Sequence, residues 1–442
     1  GRGRRAPQRD RRVSAAPPLI GASLATVLQA SARIVARVAA GKSLSAELER
    51  AADEAVAAPR AALIDVTHGT LRRYGRSQAI VRALSRQARG DPLVEALLWC
   101  SLYVLESGRH AQYAVVDQAV RACALLEKWS SKGFVNALLR RFLRERRSIE
   151  SRLQDDLQAR FQHPGWWIEA LRAAYPDDWV AVLEAGNLHP PMCLRVNRRR
   201  ADPQAALAQL LTAGLAAERI GPAALLLAKP VPVDRLPGFA EGALSVQDAG
   251  AQRAVGYLDL QSGQRVLDAC AAPGGKSAQI LETADVALTA LDVDAVRCSR
   301  IERNLERLGL AARVVHGDCV ELSPWWDGRG FERVLADVPC SASGVVRRHP
   351  DIKWIRRPAD IPAFAARQAR ILDALWRVLL RGGKLLYVTC SVFPQENDAV
   401  IEAFVQRTPD VRRLALPGQD AAQCLPDAQH DGFFFALLEK QN

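Results

Sequence analysis

Leu24, Val27 and Leu28 fall one helical turn apart, as do Ile34, Val35 and Val38, and Leu93, Leu97, Leu98, Leu102 and Leu105. Apolar positions at this spacing mark the buried stripe of a helix. Strand signals are few in this stretch, so residues 19–155 are expected to form an all-α domain. Between residues 156 and 240 the pattern changes. Met192–Asn197 reads as a strand, Pro203–Ala213 as a helix and Ala224–Ala228 as a second strand, with prolines punctuating the rest. A small α+β module is expected there. In residues 241–442, strands at Arg265–Ala269, Val286–Leu291, Arg313–His316, Arg333–Asp337, Lys384–Thr389 and Phe433–Leu438 alternate with helices at Ser277–Leu281, Asp294–Leu308 and Ala363–Leu380. Such alternation predicts an α/β, Rossmann-like domain: a mostly parallel sheet with helices on both faces.

The chain has 442 residues, 49% of them hydrophobic, which supports a multidomain protein with ample cores. Its net charge of +12 favours a polyanionic partner, nucleic acid first. Residues 1–18 are rich in Arg and nearly devoid of apolar residues, and such a segment is expected to be a disordered basic tail. No apolar run reaches the roughly 18 residues that span a bilayer, and no signal-peptide core is visible. The nine cysteines are scattered and include no Cys-x-x-Cys pair, so no metal site is expected and the usage fits a reducing cytoplasm. A monomer without membrane attachment is expected.

The chemistry-bearing residues lie at strand ends. Ligands of open α/β sheets bind beyond the carboxyl ends of the strands. Asp268-Ala269-Cys270-Ala271-Ala272-Pro273-Gly274-Gly275-Lys276-Ser277 reads as a strand, a tight glycine turn and a helix start. It lacks the first glycine of a Walker loop and the spacing of a dinucleotide fingerprint. Asp292 ends the next strand, where a carboxylate suits ribose hydroxyls, and Asp318 follows the third, where it would face an adenine edge. Asp294 suits a helix cap. Two cysteines follow in Asp337-Val338-Pro339-Cys340 and Thr389-Cys390-Ser391. Together these point to thiolate chemistry on a pyrimidine, beside a nucleoside cofactor. Chemistry alone does not decide which cysteine attacks.

The order of glycine loop, acidic strand ends, Pro-Cys and Thr-Cys resembles the RNA cytosine-C5 methyltransferases, and among them the bacterial 16S ribosomal RNA family of the RsmB (Fmu/Sun) type. Arg347-Arg348-His349-Pro350-Asp351-Ile352-Lys353-Trp354 and Ser245-Val246-Gln247-Asp248 match that family. Lys132–Phe142 resembles the last helices of the RNA-binding NusB fold. The resemblance runs from about Ser23 to the end. It implies S-adenosyl-L-methionine bound by Cys270, Ala271, Ala272, Pro273, Gly274, Gly275, Lys276, Asp292, Asp318 and Asp337, with Ser245–Asp248 helping to build that pocket. It implies Cys390 as nucleophile, Cys340 in product release and Asp337 on the base. It implies 16S ribosomal RNA as partner, held by Arg198 in the small module and by Arg347, Arg348, His349 and Lys353 in a loop over the active site. The same chemistry would serve transfer RNA or 23S RNA, and a non-catalytic assembly factor is the alternative from another class.

Overall fold

The computed structural model describes residues 23–54, 56, 58–85, 90–418 and 421–441, so the basic segment 1–18 lies outside the described residues. The chain divides into two compact units, one ending at Gln162 and the other starting at His163.

The first unit is helical: α1 (Leu24–Ala39), α2 (Leu44–Asp53), α3 (Arg60–Arg72), α4 (Tyr74–Leu84), α5 (Pro92–Ser107), α6 (Gln112–Leu125), α7 (Lys132–Arg152) and α8 (Leu157–Phe161). Local chemistry sets the ends of α5. The Asp91 carboxylate accepts from the Leu93 N–H, Pro92 takes the first turn, and Gly108 closes the helix in the left-handed region. Val94, Leu97, Leu98, Leu102 and Leu105 are all buried. A helix with no polar face belongs inside a bundle, and α5 packs on α1, α3, α4, α6 and α7. Helix α7 buries Val135, Leu138, Leu139 and Phe142 and leaves Arg140, Arg144 and Arg147 exposed. Arg76 on α4 pairs with Glu106 and Glu150. Helix α8, beyond the expected break at 155/156, buries Ala159 and Phe161 and packs on α4.

The second unit begins with α9 (Gly165–Ala174) and α10 (Trp179–Ala185). A small antiparallel sheet follows, in the order β2 (Ala217–Arg219), β3 (Ala224–Leu227), β1 (Met192–Val196), β4 (Leu244–Val246), with α11 (Pro203–Thr212) packed on it. Leu194, Val196, Leu210, Leu225 and Leu244 form its core.

The large sheet is built from β5 (Arg265–Asp268), β6 (Ala287–Asp292), β7 (Arg313–His316), β8 (Phe331–Asp337), β9 (Leu379–Thr389), β10 (Val411–Leu414), β11 (Gln423–Cys424) and β12 (Phe433–Lys440). Its order is β10-β12-β9-β8-β5-β6-β7, with β11 beside β12. Strands β5 to β9 pair in parallel, and β12 runs antiparallel to β9. Successive residues serve opposite faces. On β8 and β9, Val334, Ala336, Leu385 and Tyr387 join one core with α16 (Asp360–Val378) and α17 (Asp398–Arg407). Leu335, Leu386 and Val388 join the other with α12 (Ala249–Tyr257), α13 (Gly275–Thr283) and α14 (Ala295–Leu308). Burial on both faces explains why these strands read as unbroken apolar runs. Strand β9 starts at Leu379, earlier than the sequence indicates, because Gly382 and Gly383 carry an irregular register rather than a turn. From β5 the chain runs outward through β6 and β7, then returns to β8 on the other side. The switch in strand order therefore lies between β5 and β8, where ligands of such sheets bind.

Candidate active site

A cavity of about 240 Å³ opens at this switch point. Cys270, Ala272, Asp292, Asp318, Asp337, Cys340 and Cys390 all line it, so one site collects residues spread over 121 positions of sequence, from 270 to 390. The thiols arrive from adjacent parallel strands, Cys340 just beyond β8 and Cys390 just beyond β9. Their sulfurs stand 3.4 Å apart. Cys340 is buried and Cys390 half-buried. The hydrogen bond to Cys390, then burial, then the charge of Cys390 hold the Cys340 thiol well above the ordinary cysteine value. Cys340 is thus a thiol that holds its proton firmly, in contact with the sulfur of Cys390.

Glycine geometry sets the turn after β5. Gly274 has φ +94°, and a Cβ there would lie 3.1 Å from Ile301 Cγ2 and 3.2 Å from Ile301 Cα on α14. The Ala271 N–H donates to the Leu291 carbonyl at 2.9 Å, and the Ala272 N–H to Asp292 Oδ2 at 3.0 Å. The Asp292 carboxylate also accepts from the Asp294 N–H at 3.1 Å, and Asp294 caps α14 through the Arg297 N–H. A carboxylate offers about four acceptor positions, so Asp292 keeps capacity for a diol. Buried Asp268 accepts from Ser277 Oγ at 2.6 Å through Oδ2, while its Oδ1 has no partner among the described residues. Burial pushes its carboxyl up to about 7. Orphaned acceptor, glycine cradle and acidic strand ends fit a nucleoside-type cofactor carrying a cationic amino-acid arm.

Lys276, at the start of α13, reaches Asp337 Oδ2 at 2.6 Å. Burial works against the Lys276 charge, but the Asp337 carboxylate outweighs it and the pKa lies above the ordinary lysine value.

The basic run after Cys340 requires correction. Arg347 is 1% exposed, donating to Asp431 and to the Asp427 carbonyl. Lys353 is 0% exposed and donates to Asn187 Oδ1 at 2.7 Å. Arg348 pairs with Asp431 and Asp248. The two arginines neutralise buried carboxylates and Lys353 ties the loop to Asn187, so Arg347 and Lys353 are enclosed in the fold rather than offered to RNA phosphates; only His349 of the four is exposed. The Ser245–Asp248 motif is tied in by its last residue. Asp248 caps α12 and holds Arg348, outside the cavity lining. Arg195, another of the module's basic residues, is buried against Glu282. Arg198 is exposed on a separate cleft of about 730 Å³, bounded by the small sheet, α12 and α13, which also holds Arg253 but neither active-site thiol.

Sequence reasoning missed Glu396, which is fully buried and bonded to the loops behind both thiols. Its only sequence signal is nearness to Cys390. Cys319, on the cavity wall beside Cys270, was also passed over.

Comparison with known proteins bears on this site. Residues 255–439 match the model of "16S rRNA methyltransferase RsmB/F", residues 163–234 a "Methyltr_RsmF/B-like, ferredoxin-like domain", and residues 26–144 the NusB family. The chain is similar to "Ribosomal RNA small subunit methyltransferase B" of Vibrio cholerae, 42% identical over 91% of this chain and 94% of the relative. The Pseudomonas syringae pv. tomato protein of the same name is 43% identical over 93% and 96%. Among solved structures, a methyltransferase homologue from Pyrococcus horikoshii aligns with TM-score 0.57 and 27% identity, over 64% of this chain and 98% of that one.

Proposed function

Because the chain belongs to the 16S rRNA methyltransferase RsmB/F family, we propose that it methylates carbon 5 of one cytosine in 16S ribosomal RNA. The observation that carries this reading is the pair of thiols 3.4 Å apart in the cavity that also receives Asp292, Asp318 and Asp337. S-adenosyl-L-methionine would lie over the glycine turn, with Asp292 at its ribose, and supplies an electrophilic methyl group.

Cys390 is the nucleophile. As a thiolate it bonds to carbon 6 of the ring, and the displaced π electrons make carbon 5 nucleophilic enough to take the methyl group. Asp337 has one oxygen held by Lys276 and presents the other to the polar edge of the base. Cys340 acts after methyl transfer. While Cys390 is a free thiolate, its hydrogen bond and charge hold the Cys340 proton in place. Once that sulfur is a neutral thioether, both influences vanish and Cys340 can pass its proton to solvent. Its thiolate then takes the carbon-5 proton, the carbon 5–carbon 6 double bond re-forms, and Cys390 leaves as thiolate. A base inside a helix must first be extruded, at a cost of a few kcal/mol, so an unpaired cytosine is the preferred target. The test is transfer of labelled methyl groups to 16S RNA, followed by bisulfite mapping. One protected cytosine is expected. Methylation confined to transfer RNA or 23S RNA, or absent altogether, would overturn the assignment.

A further inference from the structure

Glu396 lies in the short turn Pro394–Glu396 after β9 and is 0% exposed. No cation pairs with it among the described residues. An uncompensated buried carboxylate is costly, so its partners show what it is kept for. Oε1 accepts from the Ser341 N–H at 2.7 Å and from Gln368 Nε2 at 3.1 Å. Oε2 accepts from Ser391 Oγ at 2.7 Å. Ser341 directly follows Cys340 and Ser391 directly follows Cys390. Gln368 also donates to the carbonyl of Pro339, the residue before Cys340, at 3.0 Å. Ser343 Oγ lies 3.0 Å from Ser391 Oγ, and the Gly344 N–H donates to the Cys390 carbonyl at 2.8 Å. One carboxylate therefore grips both thiol-bearing loops.

We propose that Glu396 is the positioning residue of the two-thiol site: it fixes the sulfur–sulfur separation, and its negative charge keeps the shared proton on Cys340. The inference rests on the two-thiol reading given above for its catalytic meaning, but not for its measurement. A glutamine would fill the same space without a buried charge. What the charge adds is repulsion at Cys340, whose raised pKa has the Glu396 charge among its causes, after Cys390 and burial. The other charged or titratable groups around the pair are Tyr387 on β9, Asp337 at the end of β8, Lys276 on α13, Arg367 on α16 and Arg356, which donates to the Ser341 carbonyl. Glu396 alone of these is bonded to both cysteine loops.

The experiment follows the alkylation rates of Cys340 and Cys390 separately against pH, by peptide mass spectrometry, in the full-length chain without RNA. In Glu396→Gln the Cys340 midpoint should fall by about one pH unit, a roughly tenfold faster reaction below the midpoint. Glu396→Asp, which keeps the charge, should hold the midpoint high although its reach is shorter. A purely structural role would make Asp as disruptive as Gln. An unchanged Cys340 midpoint in folded Glu396→Gln overturns the electrostatic part. Ser391→Ala removes one arm and leaves the charge. It should cut kcat at least tenfold with KM for RNA unchanged, and full kcat there overturns the positioning part. If the midpoints shift as expected and yet no RNA adduct forms in any variant, the two-thiol reading fails while the Glu396 inference stands.

Discussion

Asp268 shows how much a single buried group can impose. Its carboxyl is fully enclosed at the end of β5, and burial raises its pKa from 3.8 to about 7. An acid whose folded pKa is raised holds its proton in the folded state while the unfolded chain releases it. Stability therefore falls as pH rises from about 4 to about 7 and stays at the lower level above that. Asp268→Asn still accepts from Ser277 and carries no charge. Relative to the parent it should gain about 2–4 kcal/mol between pH 4 and pH 8, from a shift of about three pKa units at 1.36 kcal/mol each. Denaturant melts of both proteins at the two pH values check this. A difference that does not change with pH would mean that Asp268 is ionised in the fold. Residues of this kind show where sequence reading stops. Asp292, Asp337, Cys340 and Cys390 were legible because strand ends in an α/β sheet expose chemistry. Arg347 and Lys353 were misread because a basic loop looks solvated until Asp431 and Asn187 are brought to it from distant parts of the chain. Glu396 was invisible because its role exists only after β8 and β9 lie side by side.

At the scale of elements, the parallel strands and their helices could be read from the chain because both faces of the sheet are apolar. The short edge strands β10 and β11 escaped, having too few residues to show a period. In the proposed function, the turn between β5 and α13 is the element that holds the cofactor. Gly274 occupies the left-handed region and lies against Ile301, so α13 and α14 meet where a Cβ has no room. Gly274→Ala should cost about 1–3 kcal/mol of stability through backbone strain. It should also weaken S-adenosyl-L-methionine binding at least tenfold, because the turn must open to relieve the contact. Calorimetric titration and thermal melting of the purified variant test both. Parental affinity would place the cofactor elsewhere.

At the scale of the molecule, a net charge of +12 is carried by a chain of two compact units. The site lies wholly within the unit that starts at His163, while the exposed Arg140, Arg144 and Arg147 lie on α7 of the helical unit. A fragment of residues 163–442 should bind cofactor as the full chain does. It should lose RNA affinity, with a shallower dependence on salt by about 0.7–0.9 in log K against log salt for each phosphate contact removed. Equal affinity and slope in the fragment would leave the helical unit without a part in RNA binding. The central claim, attack by Cys390 and release aided by Cys340, is tested most directly by denaturing electrophoresis of Cys390→Ala and Cys340→Ala incubated with S-adenosyl-L-methionine and labelled 16S RNA. Cys340→Ala should accumulate a protein–RNA adduct that survives denaturation, and Cys390→Ala should form none. An adduct with Cys390→Ala and none with Cys340→Ala would exchange the two roles, and normal methylation by both variants without any adduct would contradict thiolate catalysis itself.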